Sequence, residues 1–185
     1  MRSAPASGAA TQGFGRAERF PYMINGELLP RVRLLTGLLI LGLLVSSITA
    51  IPLHREVRAL AQLTQARDQS GKGPAPAWAE WLMRVETALD RVSVSDPFLF
   101  YGTDWLAFGH VAIALAFLGA LRDPVQNRWV FLFGMRVCIL LIPYALIFGA
   151  IRGIPLWWRL IDCSFAVAGF VPACLCWKML RRLTN

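Results

Sequence analysis

The segment Arg152-Gly153-Ile154-Pro155-Leu156-Trp157-Trp158-Arg159-Leu160-Ile161-Asp162 interrupts an otherwise apolar part of the chain. Apolar runs flank it on both sides. Read as a hairpin between two membrane helices, it places two arginines, two tryptophans and an aspartate at one rim of a bilayer. A second polar stretch, Tyr101-Gly102-Thr103-Asp104-Trp105-Leu106-Ala107-Phe108-Gly109-His110, enters the bilayer at the same rim.

Composition supports that reading. The chain is 56% hydrophobic and 16% charged. A soluble domain of this size carries roughly a quarter charged residues, so the balance is that of a membrane protein. The formal charge of +8 raises the question of nucleic acid. The basic residues, 17 of 19 of them arginine, cluster at the ends of apolar runs and form no continuous stripe. That excludes a nucleic-acid partner and fits the positive-inside rule.

Residues 1–30 read as a flexible cytoplasmic tail, rich in Ala, Ser and Gly over 1–22, with Met23 as a second start. The first transmembrane helix is expected over 31–52. Arg31 and Arg33 precede its apolar run, and Ser46-Ser47-Ile48-Thr49-Ala50 resembles a signal-peptide cleavage region. A leader counted from Met1 has too long an n-region, which favours a retained helix over a cleaved one.

Residues 53–103 read as an extracytoplasmic helical loop. Val57, Leu60, Ala61 and Thr64 mark one amphipathic helix, and the segment from Gly71 to Pro76 breaks it. Trp78, Trp81, Leu82, Val85, Leu89 and Val92 mark a second. Tryptophans on such a helix suggest that it lies on the bilayer surface or caps the bundle. Six basic and six acidic residues make the loop neutral.

A three-helix transmembrane hairpin bundle is expected over 104–182, with spans near 104–121, 129–151 and 159–177 and a kink at Pro143. The N-terminal flank, the 122–128 loop and the C-terminus together hold ten basic residues against three acids. That puts both termini in the cytoplasm. The fold class is thus an all-α, integral membrane four-helix bundle with an extracytoplasmic amphipathic helical loop.

Transmembrane helices associate through small residues, because lipid supplies no hydrophobic drive between them. The spacing predicts packing faces of Gly109, Ala112, Ala116 and Gly119 on the second span. The third offers Gly134, Cys138, Ala145, Gly149 and Gly153, and the fourth Cys163, Ala166, Gly169 and Ala173. His110 falls on another side of its helix, in line with Thr103, Ala107 and Ala114. The four cysteines show no CxxC spacing and read as packing residues.

The candidate ligand-binding residues are Asp104, His110, Arg152, Arg159 and Asp162. A charge within a span costs about 3 kcal/mol to insert and needs a partner or a wet cavity. Two readings follow. In one, the arginines hold an anion such as a lipid phosphate while the aspartates relay protons or orient a ligand. In the other, Arg159 and Asp162, one helical turn apart, form an internal ion pair. A two-histidine haem site would need His54, which sits too high to share a metal with His110, so no cofactor or metal is assigned. Arg136 is expected to snorkel to the headgroups or meet Asp123.

No Walker A loop, GxSxG, HExxH or nucleotide-binding glycine fingerprint is present. The leading expectation is a small inner-membrane protein, a non-catalytic subunit or scaffold of a membrane complex. Its partners would be the lipid bilayer and other subunits or further copies of itself. The alternative is a ligand-binding or ion- or proton-conducting protein using the polar rim. A lipid-modifying enzyme with a base among the same residues is a third reading.

Overall fold

The structure, a computed structural model, describes residues 28–66, 68 and 75–184. Residues 1–27, nearly all of the expected tail, lie outside them. Among the described residues six α-helices follow in order: α1 (Leu28–Ala50), α2 (Leu53–Leu63), α3 (Ala77–Ser95), α4 (Tyr101–Arg122), α5 (Trp129–Ile151) and α6 (Leu156–Thr184). A single 3₁₀ turn, Pro97–Phe100, leads into α4. Helices α1, α4 with its lead-in, α5 and α6 are long and apolar enough to cross a membrane. The chain is an all-α four-helix membrane bundle.

Prolines set most boundaries. Pro52 separates α1 from α2, Pro76 caps α3, Pro97 opens the 3₁₀ turn, Pro124 follows α4 and Pro155 precedes α6. Proline lacks a backbone donor and restricts its predecessor, so helices start or stop there. Pro143 and Pro172 lie inside α5 and α6, and each helix continues through its proline. Helix α6 outlasts the expected span by seven residues. Leu180 is buried against the start of α1, which draws the last turns into the bundle.

The turn between α5 and α6 is a Schellman ending. Gly153 sits at φ +69, where only glycine is unstrained. Its N–H donates to Ala150 O at 3.0 Å, and the Ile154 N–H donates to Gly149 O at 2.9 Å. Two carbonyls that would otherwise be orphaned at membrane depth are thereby satisfied.

The spans form two antiparallel pairs, α1 with α4 and α5 with α6, and α1 against α6 joins them. The core of the bundle lies toward the Arg122 end. Val32 and Ile40 of α1, Ala114, Phe117 and Ala120 of α4, Val130 and Phe131 of α5, and Cys176 and Leu180 of α6 meet there. The Phe117 and Phe131 rings stand edge to face, centroids 5.9 Å apart. A Cβ on Gly134 would lie 3.1 Å from Phe117 Cζ, so that glycine is the notch the ring fills.

Two of the three expected small-residue faces point inward. Gly149 and Gly134 of α5 meet neighbouring side chains, Gly169 of α6 lies against Cys138 Sγ, and Ala166 and Ala173 are buried. The α4 face is reversed. Ala107, Ala114, Phe117 and Ala120 are buried, whereas Ala112 and Ala116 are exposed and a Cβ at Gly109 would meet nothing within 4 Å. The two alanine-bearing sides of α4 were equally small. The inward one also carries Phe117, which fits Gly134, and Ala107, whose carbonyl accepts the Ser47 hydroxyl at 2.9 Å.

Helices α2 and α3 pack on each other. Val57, Ala61, Ala66, Ala79 and Leu82 form their own small core. The two apolar stripes meet in part, with Leu60 and Trp78 left exposed, and the hairpin joins the bundle at its base through α1 and the 3₁₀ turn.

Truncating Phe117 tests where the bundle is held. Because the helices separate into lipid, the transfer contribution largely drops out. What remains is the cavity and lost dispersion, on the order of 2 kcal/mol. Thermal unfolding of the detergent-solubilised Phe117→Ala variant should show a clear loss, while Phe108→Ala, at a site 61% exposed, should leave the transition unchanged.

Candidate functional site

Arg159 and Asp162 occupy the second turn of α6, close to the α5–α6 hairpin. Arg159 does not pair with Asp162. Its Nη1 donates instead to the Leu146 carbonyl of α5 at 2.9 Å. The side chain lies across Gly149, where a Cβ would come within 2.4 Å of Arg159 Cδ. Glycine at 149 is what lets a guanidinium pass between two packed helices. Its Nε is buried and has no hydrogen-bond partner. Asp162 is half-buried and makes no hydrogen bond or ion pair among the described residues.

The other three residues stand apart from that pair. Arg152 closes α5 and is exposed. Asp104 is exposed in the first turn of α4, a helix that packs along α1 and not along α6. Asp104 lines a shallow hollow of about 250 Å³ with Tyr101, Trp105 and Phe108. Those three rings form an edge-to-face ladder, with centroids 5.9 and 5.8 Å apart. His110 is half-buried, and its Nδ1 donates to Leu106 O of its own helix at 2.9 Å, leaving Nε2 unengaged. Asp104, Arg152, Arg159 and Asp162 lie toward the same end of the bundle and His110 near the middle of α4, and only Arg159 and Asp162 share a helix turn.

Arg136 is exposed about 10 Å along α5 from the Arg122 end, counting 1.5 Å per residue. It does not meet Asp123. The Asp123 carboxylate accepts the Gln126 N–H at 3.0 Å and so closes the α4–α5 turn.

A further polar cluster joins α2 to α3. The His54 ring nitrogen Nε2 contacts Asp90 Oδ1, and Arg58 Nη2 donates to the same oxygen at 2.9 Å. Arg58 Nη2 also lies 3.1 Å from His54 Nε2. One nitrogen cannot donate to Asp90 and accept from Arg58 together, so both bases serve the carboxylate. The His54 ring, and then the Arg58 guanidinium, hold the Asp90 carboxyl below its ordinary value. Sequence spacing gave no sign of this clasp, because 36 residues separate His54 from Asp90.

Among the described residues no group of three or more His, Cys, Asp or Glu could hold a metal ion, and all four cysteines are free. Chemically, the Arg159–Asp162 turn offers a fixed guanidinium and a separate carboxylate within a span. No protein-family model, curated protein or solved structure matches the chain.

The clasp has a defined pH window. A carboxyl whose folded value is depressed contributes stability that is present above its unfolded value, about 3.9, and is lost as the pH falls through the lower folded value. Hydrogen exchange across α2 and α3, corrected for intrinsic rates, should show stronger protection in the wild type than in Asp90→Asn at neutral pH. That difference should close in the acid range. A difference that persists unchanged well below pH 3.9 would assign the protection to the α2–α3 apolar core alone.

Proposed function

We propose that this multi-pass membrane protein is a non-catalytic subunit or scaffold of a membrane complex. The observation that carries the reading is the outward face of α4. Gly109, Ala112 and Ala116 line it, with the Tyr101–Trp105–Phe108 ladder at one end. Small residues in a span let a second backbone approach closely, and lipid gains nothing from them. Among the described residues no helix packs there. Only 11–22% of each apolar window is buried within the chain, so surface for neighbours is ample. The arginine-rich Arg122 end supports placing both termini on the cytoplasmic side of an inner, plasma-type membrane.

Gently solubilised at native expression, the protein should migrate with at least one companion, another subunit or a second copy. The double variant Ala112→Leu with Ala116→Leu alters two exposed positions, so its abundance should match the wild type while the companion is lost. A lone wild-type monomer, or a complex indifferent to both leucines, would overturn the proposal.

A second reading has its own support in the half-buried, unpartnered Asp162 beside Arg159. On this reading Asp104, His110, Arg152, Arg159 and Asp162 serve an anion or a proton path, with Asp162 as the exchanging group. Proteoliposomes carrying the wild type should then leak protons faster than empty vesicles, and Asp162→Asn should return them to the lipid baseline. Wild-type vesicles already at that baseline rule out conduction.

A further inference from the structure

The opposite end of the bundle carries a groove that the readings above leave unused. It measures about 560 Å³ and lies where α1 begins and α4 ends. Arg33 and Arg122 form its charged wall, and Leu29, Pro124 and Val125 supply apolar surface. Asp123 also borders it, and its carboxylate is engaged with the Gln126 N–H. Arg33 Nη2 donates to the Arg122 carbonyl at 3.3 Å, which neutralises the exposed C-terminus of α4 and fixes the guanidinium at the groove. The Arg122 guanidinium makes no hydrogen bond or ion pair among the described residues.

We propose that this groove binds the phosphodiester headgroup of an anionic phospholipid, independently of any partner subunit. Three features point to lipid over other anions. The groove sits at the ends of two apolar spans, α1 and α4, where the headgroups of a bilayer would lie. Its two arginines come from different helices and can chelate phosphate oxygens from two sides, a geometry suited to guanidinium forks. Its apolar wall gives the first acyl methylenes a surface to lie on, which a free phosphate would leave uncovered. The surrounding charge agrees: Arg128, Lys178 and Arg182 lie at the same end, with Asp123 as the one described acid. The 27 residues ahead of α1 carry three arginines and two glutamates, so they bring this basic groove no net negative charge.

The test uses the full chain in neutral detergent, titrated with phosphatidylglycerol, phosphatidylcholine or inorganic phosphate, with bound lipid read by native mass spectrometry. Phosphatidylglycerol should be retained and phosphatidylcholine should not. Arg122→Gln should weaken retention about fivefold, the scale of one arginine at an anionic surface. Arg136→Gln removes the same charge from α5, away from the groove, and should leave retention unchanged. Equal weakening by both variants would reduce the effect to a diffuse field and overturn the site. So would retention of phosphatidylcholine, displacement by inorganic phosphate alone, or an acidic protein that co-purifies with the wild type and is lost in Arg122→Gln. Should Arg122→Gln fail to accumulate, salt decides with the wild type. Retention that does not fall between about 50 mM and about 500 mM salt would equally sink the proposal.

Discussion

Lipid does not push apolar helices together, so spans stay associated only where backbones approach closely enough for dispersion and short polar contacts. In this protein those places are few. Gly134 admits Phe117, Gly169 admits Cys138, and Gly149 admits Arg159. Each is a missing Cβ filled by a neighbour from another helix. The Phe117 notch locks the α1–α4 pair to the α5–α6 pair, and the other two hold α5 to α6. The α1–α4 pair carries no such notch: its Ala107, Ala114 and Ala120 are buried and the Ser47 hydroxyl bonds Ala107 O, while α1 against α6 joins the two pairs.

Polar groups in the spans obey the matching constraint that nothing in hydrocarbon can hydrate them. Thr36 Oγ1 bonds back to Val32 O at 2.8 Å, and Cys176 Sγ reaches that same carbonyl from α6 at 3.7 Å. Ser47 spans to Ala107 O. Such contacts are individually modest in membranes, since a separated helix also finds partners. The value of the two that cross between helices, Cys176 to Val32 O and Ser47 to Ala107 O, lies in register: each fixes the height at which one span meets another. The extramembrane hairpin follows ordinary aqueous rules instead, with an apolar seam and a His54–Arg58–Asp90 clasp at its side.

Much of this architecture was legible in the residues. Helix α5 was readable to its ends, because Arg128 and Arg152 bracket an apolar run whose one charge is Arg136. The inward faces of α5 and α6 were readable because each helix has a single small-residue side. Helix α4 has two, and choosing between them required knowing that Phe117 would find Gly134, a long-range fit that periodicity does not encode. The α2–α3 stripes were visible, but amphipathicity does not say whether lipid or another helix covers the apolar side. The polar rim was readable as composition and depth. Its division into an Arg159–Asp162 turn and an outlying Asp104 was not, since that depends on α4 packing beside α1 and away from α6.

The Arg159–Asp162 turn bears on which reading of the polar rim is sounder. A spacing of three on a helix places two side chains side by side, and an arginine and an aspartate so placed can neutralise each other at little cost. The chain does not use that arrangement. Its guanidinium crosses to a carbonyl on α5, through a gap that only glycine at 149 leaves open. The carboxylate stays half-buried and unengaged. If Arg159 served only as the counter-charge of Asp162, neither the glycine gap nor the carbonyl bond would be needed. Anchored to the Leu146 carbonyl, the arginine leaves Asp162 without the ion pair that its spacing would allow. An unpaired carboxylate within a span supports the proposed anion or proton path at this rim, and among the described residues the structure shows no internal ion pair there to account for it instead.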